Sequence, residues 1–333
     1  MTDPQIDDIP PTPKSSRIQR SNLPRIEFRK SQRRDLTFYA AAFFAAVLSW
    51  LARFTPDALE DFIALRIGDA SYLTSQKWRA NVESNISHVL DQPEDSAIVH
   101  RTARSIFQTN ALNVASLLRA PHQKKQQLLS NLTFPHKGWG VLEDAHARGQ
   151  GVIILTAHLG SFDTMGSAVA ARGFPIAALT ARTTSRFMFE FVSFLRQAHG
   201  VQLIEASSSG VREAIALLRQ RNVLCLLSDR DFFLNGQDVV FFGEETTLPT
   251  GAARLARDTG ATIVPIFTIR LENGHALIIE PSFTIEKTAD RDADVELGMT
   301  MVMSALERAI SNAPDQWVMF QQVWPDDETA TTA

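Results

Sequence analysis

The sequence predicts an α/β domain with a mostly parallel central sheet flanked by helices, preceded by a membrane-associated helical region. Three observations carry this. Beyond Pro135, short apolar runs rich in β-branched residues alternate with segments of helical periodicity, as in sheets buried on both faces and joined by crossover helices. Residues 55 to 130 place apolar side chains at helical spacing. Residues 36 to 52 carry no charge and follow a run of basic residues.

Residues 1–34 read as a flexible basic tail. Pro4, Pro10, Pro11, Pro13 and Pro24 interrupt it, and no apolar period is sustained. After three early acids come Lys14, Arg17, Arg20, Arg25, Arg29, Lys30, Arg33 and Arg34, opposed only by Glu27. The segment 35–54 is a membrane-associated helix. Its apolar run, LTFYAAAFFAAVLSWLA between Asp35 and Arg53, is at the short limit for a span. The preceding tail is too long for a signal peptide, and Ser49-Trp50-Leu51 offers no small-residue cleavage site. A transmembrane helix, an interfacial helix and a buried soluble helix all fit the run itself. The basic residues ahead of it favour membrane attachment, because an anionic cytoplasmic leaflet attracts them and the positive-inside rule keeps them cytoplasmic.

Residues 55–135 form a helical region packed on the next domain. Thr55 is expected to cap a helix with Pro56 at its first position. A second helix spans about 74 to 90, and PEDSAIVHRTARSIFQTNALNVASLLRA forms one long helix or two. Residues 136–325 form the α/β domain, and 326–333 a flexible tail. GVIILTAH, PIAALT, VQLIE, NVLCLLS, ATIVPIFTI and HALIIEP read as strands, with WVMFQQV as a final edge strand. HALIIEP is expected to pair antiparallel to the strand before it, through Glu272-Asn273-Gly274. Helices fill the intervals, the last from about Asp294 to Ser311.

With 44% hydrophobic residues the 333-residue chain can bury a sizeable core, and a net charge of −4 gives no reason to expect a nucleic-acid partner. The single cysteine, Cys225, excludes an internal disulfide and lies in an apolar strand, where an inert core role is expected.

The segment GVIILTAHLGSFDTMGSAV carries the chemistry. A buried strand delivers His158 to its carboxyl end, where α/β sheets hold ligands. Gly160 gives the following turn its backbone freedom, and Ser161, Phe162 and Asp163 open a helix. Residues five apart do not share a face of a straight helix. The turn is expected to bring Asp163 to one imidazole nitrogen, leaving the other to take a proton from a hydroxyl. That hydroxyl belongs to an acceptor substrate. Ser161 is the rival nucleophile, but the G-x-S-x-G elbow is absent. A structural reading, in which His158 bonds a helix cap and Asp163 stabilises a first turn, fits the same residues.

HLGSFD resembles the H-x4-D box of glycerolipid acyltransferases. Residues from about 36 to 325 resemble more closely the bacterial lipid A lauroyl/myristoyl acyltransferase superfamily, with a leaning to its phosphatidylinositol mannoside acyltransferase branch. The further blocks are WRANVESNI at 78 to 86, GVREAIALLRQRNVLCLLSDRDF at 210 to 232, and VVFFGEETTLPTGAARLARDTGATIVPIF at 239 to 267. The leaning rests on Asp163, where many lipid A enzymes carry glutamate, and on SDRD at 228 to 231. The resemblance implies a glycerolipid-acyltransferase-like domain. It implies acyl transfer from acyl-CoA or acyl-carrier protein to a hydroxyl of a membrane lipid or glycolipid, at the cytoplasmic face of the inner membrane. The enzyme would sit there as a peripheral or single-span protein, with no permanently bound cofactor. His158 matches the catalytic histidine and Asp163 its acidic partner.

Other residues are placed around this pair. Arg182 follows the PIAALT strand, and similar enzymes use a basic residue there for a phosphate or carrier headgroup. Arg230 would stabilise an oxyanion or hold a phosphate, with Asp229 and Asp231 orienting it, and Gly160 is a further substrate or oxyanion candidate through local backbone N–H groups. An ion-pair network would account for the same residues. No metal site is expected, since two carboxylates around an arginine lack a full ligand set. Phe162, Phe232, Phe233, Phe241 and Phe242 are candidate walls of an acyl groove. Two other functions fit these features: a lysophospholipid or glycerol-phosphate acyltransferase using the same box, and a non-catalytic lipid-binding scaffold.

Overall fold

The computed structural model describes residues 36–135, 138–180, 186–232 and 236–324. The expected tails at 1–34 and 326–333 lie outside these residues, as do Arg182 and Phe233. The helical region consists of α1 (Leu36–Ala52), α2 (Asp57–Thr74), α3 (Gln76–Leu90), α4 (Ala97–Arg119) and the short α5 (Lys125–Ser130). There follow β1 (Leu132–Thr133), α6 (Gly140–Ala147), β2 (Val152–Thr156), α7 (Phe162–Arg172), β3 (Ile176–Thr180), α8 (Arg186–Arg196) and β4 (Gln202–Glu205). The remainder is α9 (Ser208–Arg219), β5 (Val223–Leu227), β6 (Gln237–Phe241), β7 (Glu244–Leu248), α10 (Gly251–Thr259), β8 (Thr262–Arg270), β9 (His275–Ile279) and α11 (Arg291–Asn312).

PEDSAIVHR…LLRA forms one helix, α4, whose cap Ser96 accepts the Val99 N–H. The cap expected at Thr55 is not formed. Pro56, extended at φ −57° and ψ 143°, takes the N-cap position, so α2 starts one residue later. The Thr55 hydroxyl instead turns back to the Leu51 carbonyl. Arg119, at the end of α4, reaches Asp57, Glu60 and the Thr55 carbonyl, fixing the α1–α2 corner. Along their crossing α2 and α4 approach closely at Gly68, where a Cβ would lie 2.6 Å from the Gln108 Cα.

No described helix is long and apolar enough to cross a membrane. With 17 residues, α1 reaches roughly 26 Å at 1.5 Å per residue, short of a hydrocarbon core of about 30 Å. Its buried face is Ala41, Ala45 and Ser49, small residues four apart that pack against α8 and α4. Phe43, Phe44, Leu48, Trp50 and Leu51 face outward, joined by Phe54, Leu59, Phe62 and Ile63.

The central sheet has seven strands in the order β1-β9-β8-β2-β5-β3-β4. From β8 to β4 the strands are parallel, and β9 is antiparallel to β8 through the expected turn, with Arg270 opposite His275. Side chains alternate across β2. Ile153 and Leu155 join a core with α3, α4, α9, α10 and α11, while Val152 and Ile154 join one with α6 and α7. WVMFQQV is not an edge strand. After a 3-10 turn at Pro314–Gln316, Trp317 makes a lone bridge with Leu159, and the segment packs beneath α3 and α4. A separate hairpin, β6–β7, turns at Phe242 and Gly243 with both at positive φ, a primed turn without its usual Asn-Gly signature.

Topology opens a crevice at one point. From β2 the chain runs through α7 past β5 to β3, whereas from β5 it runs through α10 past β2 to β8. Adjacent strands whose connections leave in opposite directions define a switch point, where α/β sheets bind ligands.

Candidate active site

His158 follows β2 and Asp229 follows β5, the two strands at that switch point. Register pairs Thr156 with Leu227, so two further residues on each strand bring His158 opposite Asp229. The imidazole Nδ1 lies 2.9 Å from Asp229 Oδ1. Asp229 Oδ2 accepts the His158 backbone N–H at 2.8 Å and the Trp317 indole N–H at 2.9 Å. Burial pushes the Asp229 carboxyl upward, but His158 and the N–H donors outweigh it and hold the group below its ordinary range. An ionised Asp229 favours the imidazole tautomer with its proton on Nδ1, which leaves an Nε2 lone pair able to accept a proton.

The turn after His158 is held from both sides. The His158 carbonyl accepts the Val318 N–H at 2.7 Å, and the Gly160 N–H reaches the Gln316 carbonyl at 2.9 Å. Gly160 has φ +54°, and a Cβ there would overlap the Thr268 carbonyl oxygen. Asn113 of α4 donates to the Gly160 carbonyl at 2.7 Å and accepts from the Ser161 hydroxyl at 3.3 Å. Ser161 is thus buried on Asn113 rather than bonded to His158.

Asp163 is not the carboxylate that orients His158. It sits in the first turn of α7 and forms a two-point pair with Arg196 at the end of α8, through Nε at 2.7 Å and Nη2 at 3.3 Å. The residue five positions on leaves the turn on the helix, whereas the neighbouring strand brings Asp229 directly opposite. Both carboxylates are nonetheless near one cavity. It has a volume of about 240 Å³ and is lined by His158, Phe162, Asp163, Arg196, Arg230 and Phe232, with Met165, Val201, Leu203 and Cys225 among its apolar residues.

Phe162 stands edge-on to the imidazole, with ring centroids 5.3 Å apart. Arg230 lies over the Phe232 ring at 5.1 Å, and its Nε is buried without a hydrogen-bond partner. Burial lowers its pKa, with Asp229 opposing. Neither neighbouring carboxylate orients it by contact: Asp229 is committed to His158 and Trp317, and Asp231 accepts the Gly236 N–H at 2.7 Å. Phe241 and Phe242 are not groove walls. Phe241 stacks on Trp324 in the core under the β6–β7 hairpin, and the half-buried Phe242 meets both rings edge-on. Cys225 is buried, and burial pushes its thiol up to about 12.

Trp317, Arg196, Asn113 and Gln316 escaped sequence reasoning. Trp317 sat inside an apparent strand, and nothing local marks an indole as a carboxylate donor. A partial signal lay in WRANVESNI. Asn81 donates to the Phe320 carbonyl, and Asn85 holds the Met319 and Gln321 carbonyls and the Val323 N–H. Those asparagines clamp the segment that carries Trp317 to Asp229.

A family model described as bacterial lipid A biosynthesis acyltransferase matches residues 27–325. A phosphatidylinositol mannoside acyltransferase of Mycobacterium tuberculosis (strain CDC 1551 / Oshkosh) is 24% identical over 92% of this chain and 96% of its own length. A lipid A biosynthesis acyltransferase of Haemophilus influenzae is 22% identical over 82% of this chain and 84% of its own. Among solved structures, the 1-acyl-sn-glycerophosphate (LPA) acyltransferase PlsC of Thermotoga maritima overlaps 81% of this chain and 97% of that one, at 11% identity and a TM-score of 0.33. That superposition is too loose to bear on fold or function.

Proposed function

We propose a specific reaction for this chain, which belongs to the bacterial lipid A biosynthesis acyltransferase family and is an O-acyltransferase: a fatty acyl group passes from an acyl thioester, acyl-CoA or acyl-carrier protein, to a hydroxyl of a membrane glycolipid. The observation that carries it is His158, tied through Nδ1 to a fully buried carboxylate while its ring lines a largely apolar cavity. His158 Nε2 takes the acceptor hydroxyl proton as the oxygen attacks the thioester carbonyl. Arg230 stabilises the tetrahedral oxyanion, a role supported by its unpartnered Nε and its place in the lining of the same cavity. Collapse breaks the carbon–sulfur bond, and the imidazolium returns its proton to the leaving thiolate. Asp229 stabilises that imidazolium, as the carboxylate of a triad does. The acyl chain occupies the apolar cavity, gaining about 0.8 kcal/mol per buried methylene.

The acceptor is a glycolipid of the phosphatidylinositol mannoside type, which the mycobacterial relatives' name supports. The outward apolar side chains of α1 and α2 rest in the cytoplasmic face of the inner membrane, so the protein lies on the bilayer rather than spanning it. The basic residues before α1 add attraction to anionic lipid.

The test incubates the purified protein in detergent with a native lipid extract and labelled acyl-CoA or acyl-carrier donors. A labelled glycolipid made by wild type and absent with His158→Ala is the expected result. A labelled simple phospholipid would assign a glycerolipid acyltransferase instead. No product from a folded, lipid-binding protein would leave a scaffold.

A further inference from the structure

We propose that the cleft bounded by α2, α4 and the β8–β9 turn holds the phosphodiester headgroup of the acceptor lipid, with Arg270 as its anchor. The assignment rests on acyl transfer to a membrane glycolipid as the reaction next to it. The cleft has a volume of about 1270 Å³. It adjoins the His158 cavity: Leu117, Asp163 and Ser167 line both. A headgroup held there is continuous with the place of reaction.

Arg270 ends β8 with its guanidinium largely buried. Nη2 donates to two neutral acceptors, Asn113 Oδ1 at 3.2 Å and Ser116 Oγ at 2.9 Å. Its Nε is buried with no partner, and among the described residues no carboxylate pairs with it within 4.0 Å. A buried cation without an anion is costly to hold away from water. Burial accordingly lowers its pKa, and Asp61 opposes this from a distance. Across the strand pair, His275 also has a buried, unpartnered Nδ1, and burial together with Arg270 lowers its pKa to about 4. A neutral imidazole and an unpaired guanidinium thus border one cleft, a set that an incoming anion completes.

The anchor is also built into the catalytic turn. Gln316 accepts the Arg270 backbone N–H at 2.8 Å and donates to its carbonyl at 3.0 Å, while the Gln316 carbonyl takes the Gly160 N–H. Asn113 joins the guanidinium to the Gly160 carbonyl. Arg270 and His158 therefore keep a fixed relation through two side chains.

Two features select a lipid phosphodiester over the phosphates of coenzyme A. The wall carries Asp57, Asp61, Asp163 and Glu272, with Glu60 pushed up to about 7 by burial and Asp61, against Arg53, Arg119 and Arg270, an acidic balance that repels a multiply charged ligand. One buried cation without a carboxylate partner, Arg270, suits one negative charge, and the surrounding carboxylates suit sugar hydroxyls. Moreover, Ala52, Arg53 and Ala58 line the cleft beside the outward-facing Trp50, Leu51, Phe54 and Phe62. A lipid with its tails in the bilayer brings its phosphate to that level.

The test measures equilibrium binding to the full-length protein in a His158→Ala background, so that turnover plays no part. The probes are dihexanoyl phosphatidylinositol, the uncharged dihexanoylglycerol glucoside, and coenzyme A. Arg270→Gln should weaken phosphatidylinositol binding about tenfold or more, the loss of a charge-assisted contact, and leave the other two unchanged. Arg270→Lys should fall between, and it is the variant read if Arg270→Gln lowers the unfolding temperature. Unchanged phosphatidylinositol binding would overturn the proposal, as would a loss confined to coenzyme A, which would assign Arg270 to the donor. Arg270-dependent phosphatidylinositol binding in a protein whose wild type transfers no acyl group would sustain the site and remove only the reaction.

Discussion

His158 meets Asp229 because β2 and β5 are neighbours in register, although 71 residues separate the two along the chain. The pair fixes the tautomer, so Asp229→Asn should leave the fold intact and present the wrong ring nitrogen to the acceptor. By analogy with the serine-protease triad, kcat should drop roughly 10³- to 10⁴-fold. His158→Ala should cost a similar amount, and the double variant little more, since the residues act as one unit. Steady-state acyl transfer with each variant measures this. A mild Asp229→Asn phenotype would separate the carboxylate from the base.

The contrast between Asp229 and Asp163 shows what the sequence could express. Local order placed the six main strands, the antiparallel return through Glu272-Asn273-Gly274, and His158 at a strand end, because periodicity and turn residues are short-range signals. Which strand lies beside β2 is a long-range matter of topology, and it decides the histidine's partner. Asp229 was singled out, but for the wrong neighbour. Trp317 was invisible for the same reason: it reaches Asp229 from 88 residues away, out of a segment whose apolar run imitated a strand.

The indole of Trp317 is one of three N–H groups on Asp229. Removing it with Trp317→Phe takes a donor from the ionised carboxylate and raises its pKa. The folded value lies below the ordinary one, so the ionised form is present above the usual carboxylate range and is lost as pH falls through the folded pKa. Trp317→Phe should therefore make the Asp229 carboxyl take up its proton at higher pH and lower the kcat plateau about tenfold. Carboxyl titration by infrared difference spectroscopy reads the first, and steady-state acyl transfer the second.

His275 makes a separate prediction about stability. Burial holds its pKa near 4, against 6.5 for the free group. Below pH 6.5 the unfolded chain binds the proton first, so stability falls as pH drops towards 4 and levels off beneath it. The contribution is about 3 kcal/mol. His275→Gln should flatten that slope in denaturant unfolding measured across this range.

Gly160→Ala should destabilise the protein by about 3 kcal/mol or more, since it combines a positive φ with overlap on a strand carbonyl. The same change shifts the turn that follows His158. Activity should be lost even under conditions where thermal unfolding shows the variant folded.

Asp163 and Arg196 are each other's partner, both about three-quarters shielded from solvent. If their role is to hold the start of α7 against the end of α8 at the cavity wall, each is a positioning residue. Asp163→Asn and Arg196→Gln should then lower activity to a similar extent, and the double variant should be no worse than either, with a coupling of about 1–3 kcal/mol. The acid limb of the pH profile should stay where it is in wild type, since Asp229 still orients the base. Were Asp163 instead the carboxylate acting on His158, its loss would shift that limb and Arg196→Gln would not reproduce the effect. A double-mutant cycle with pH profiles therefore separates the two roles by pattern rather than by size of loss.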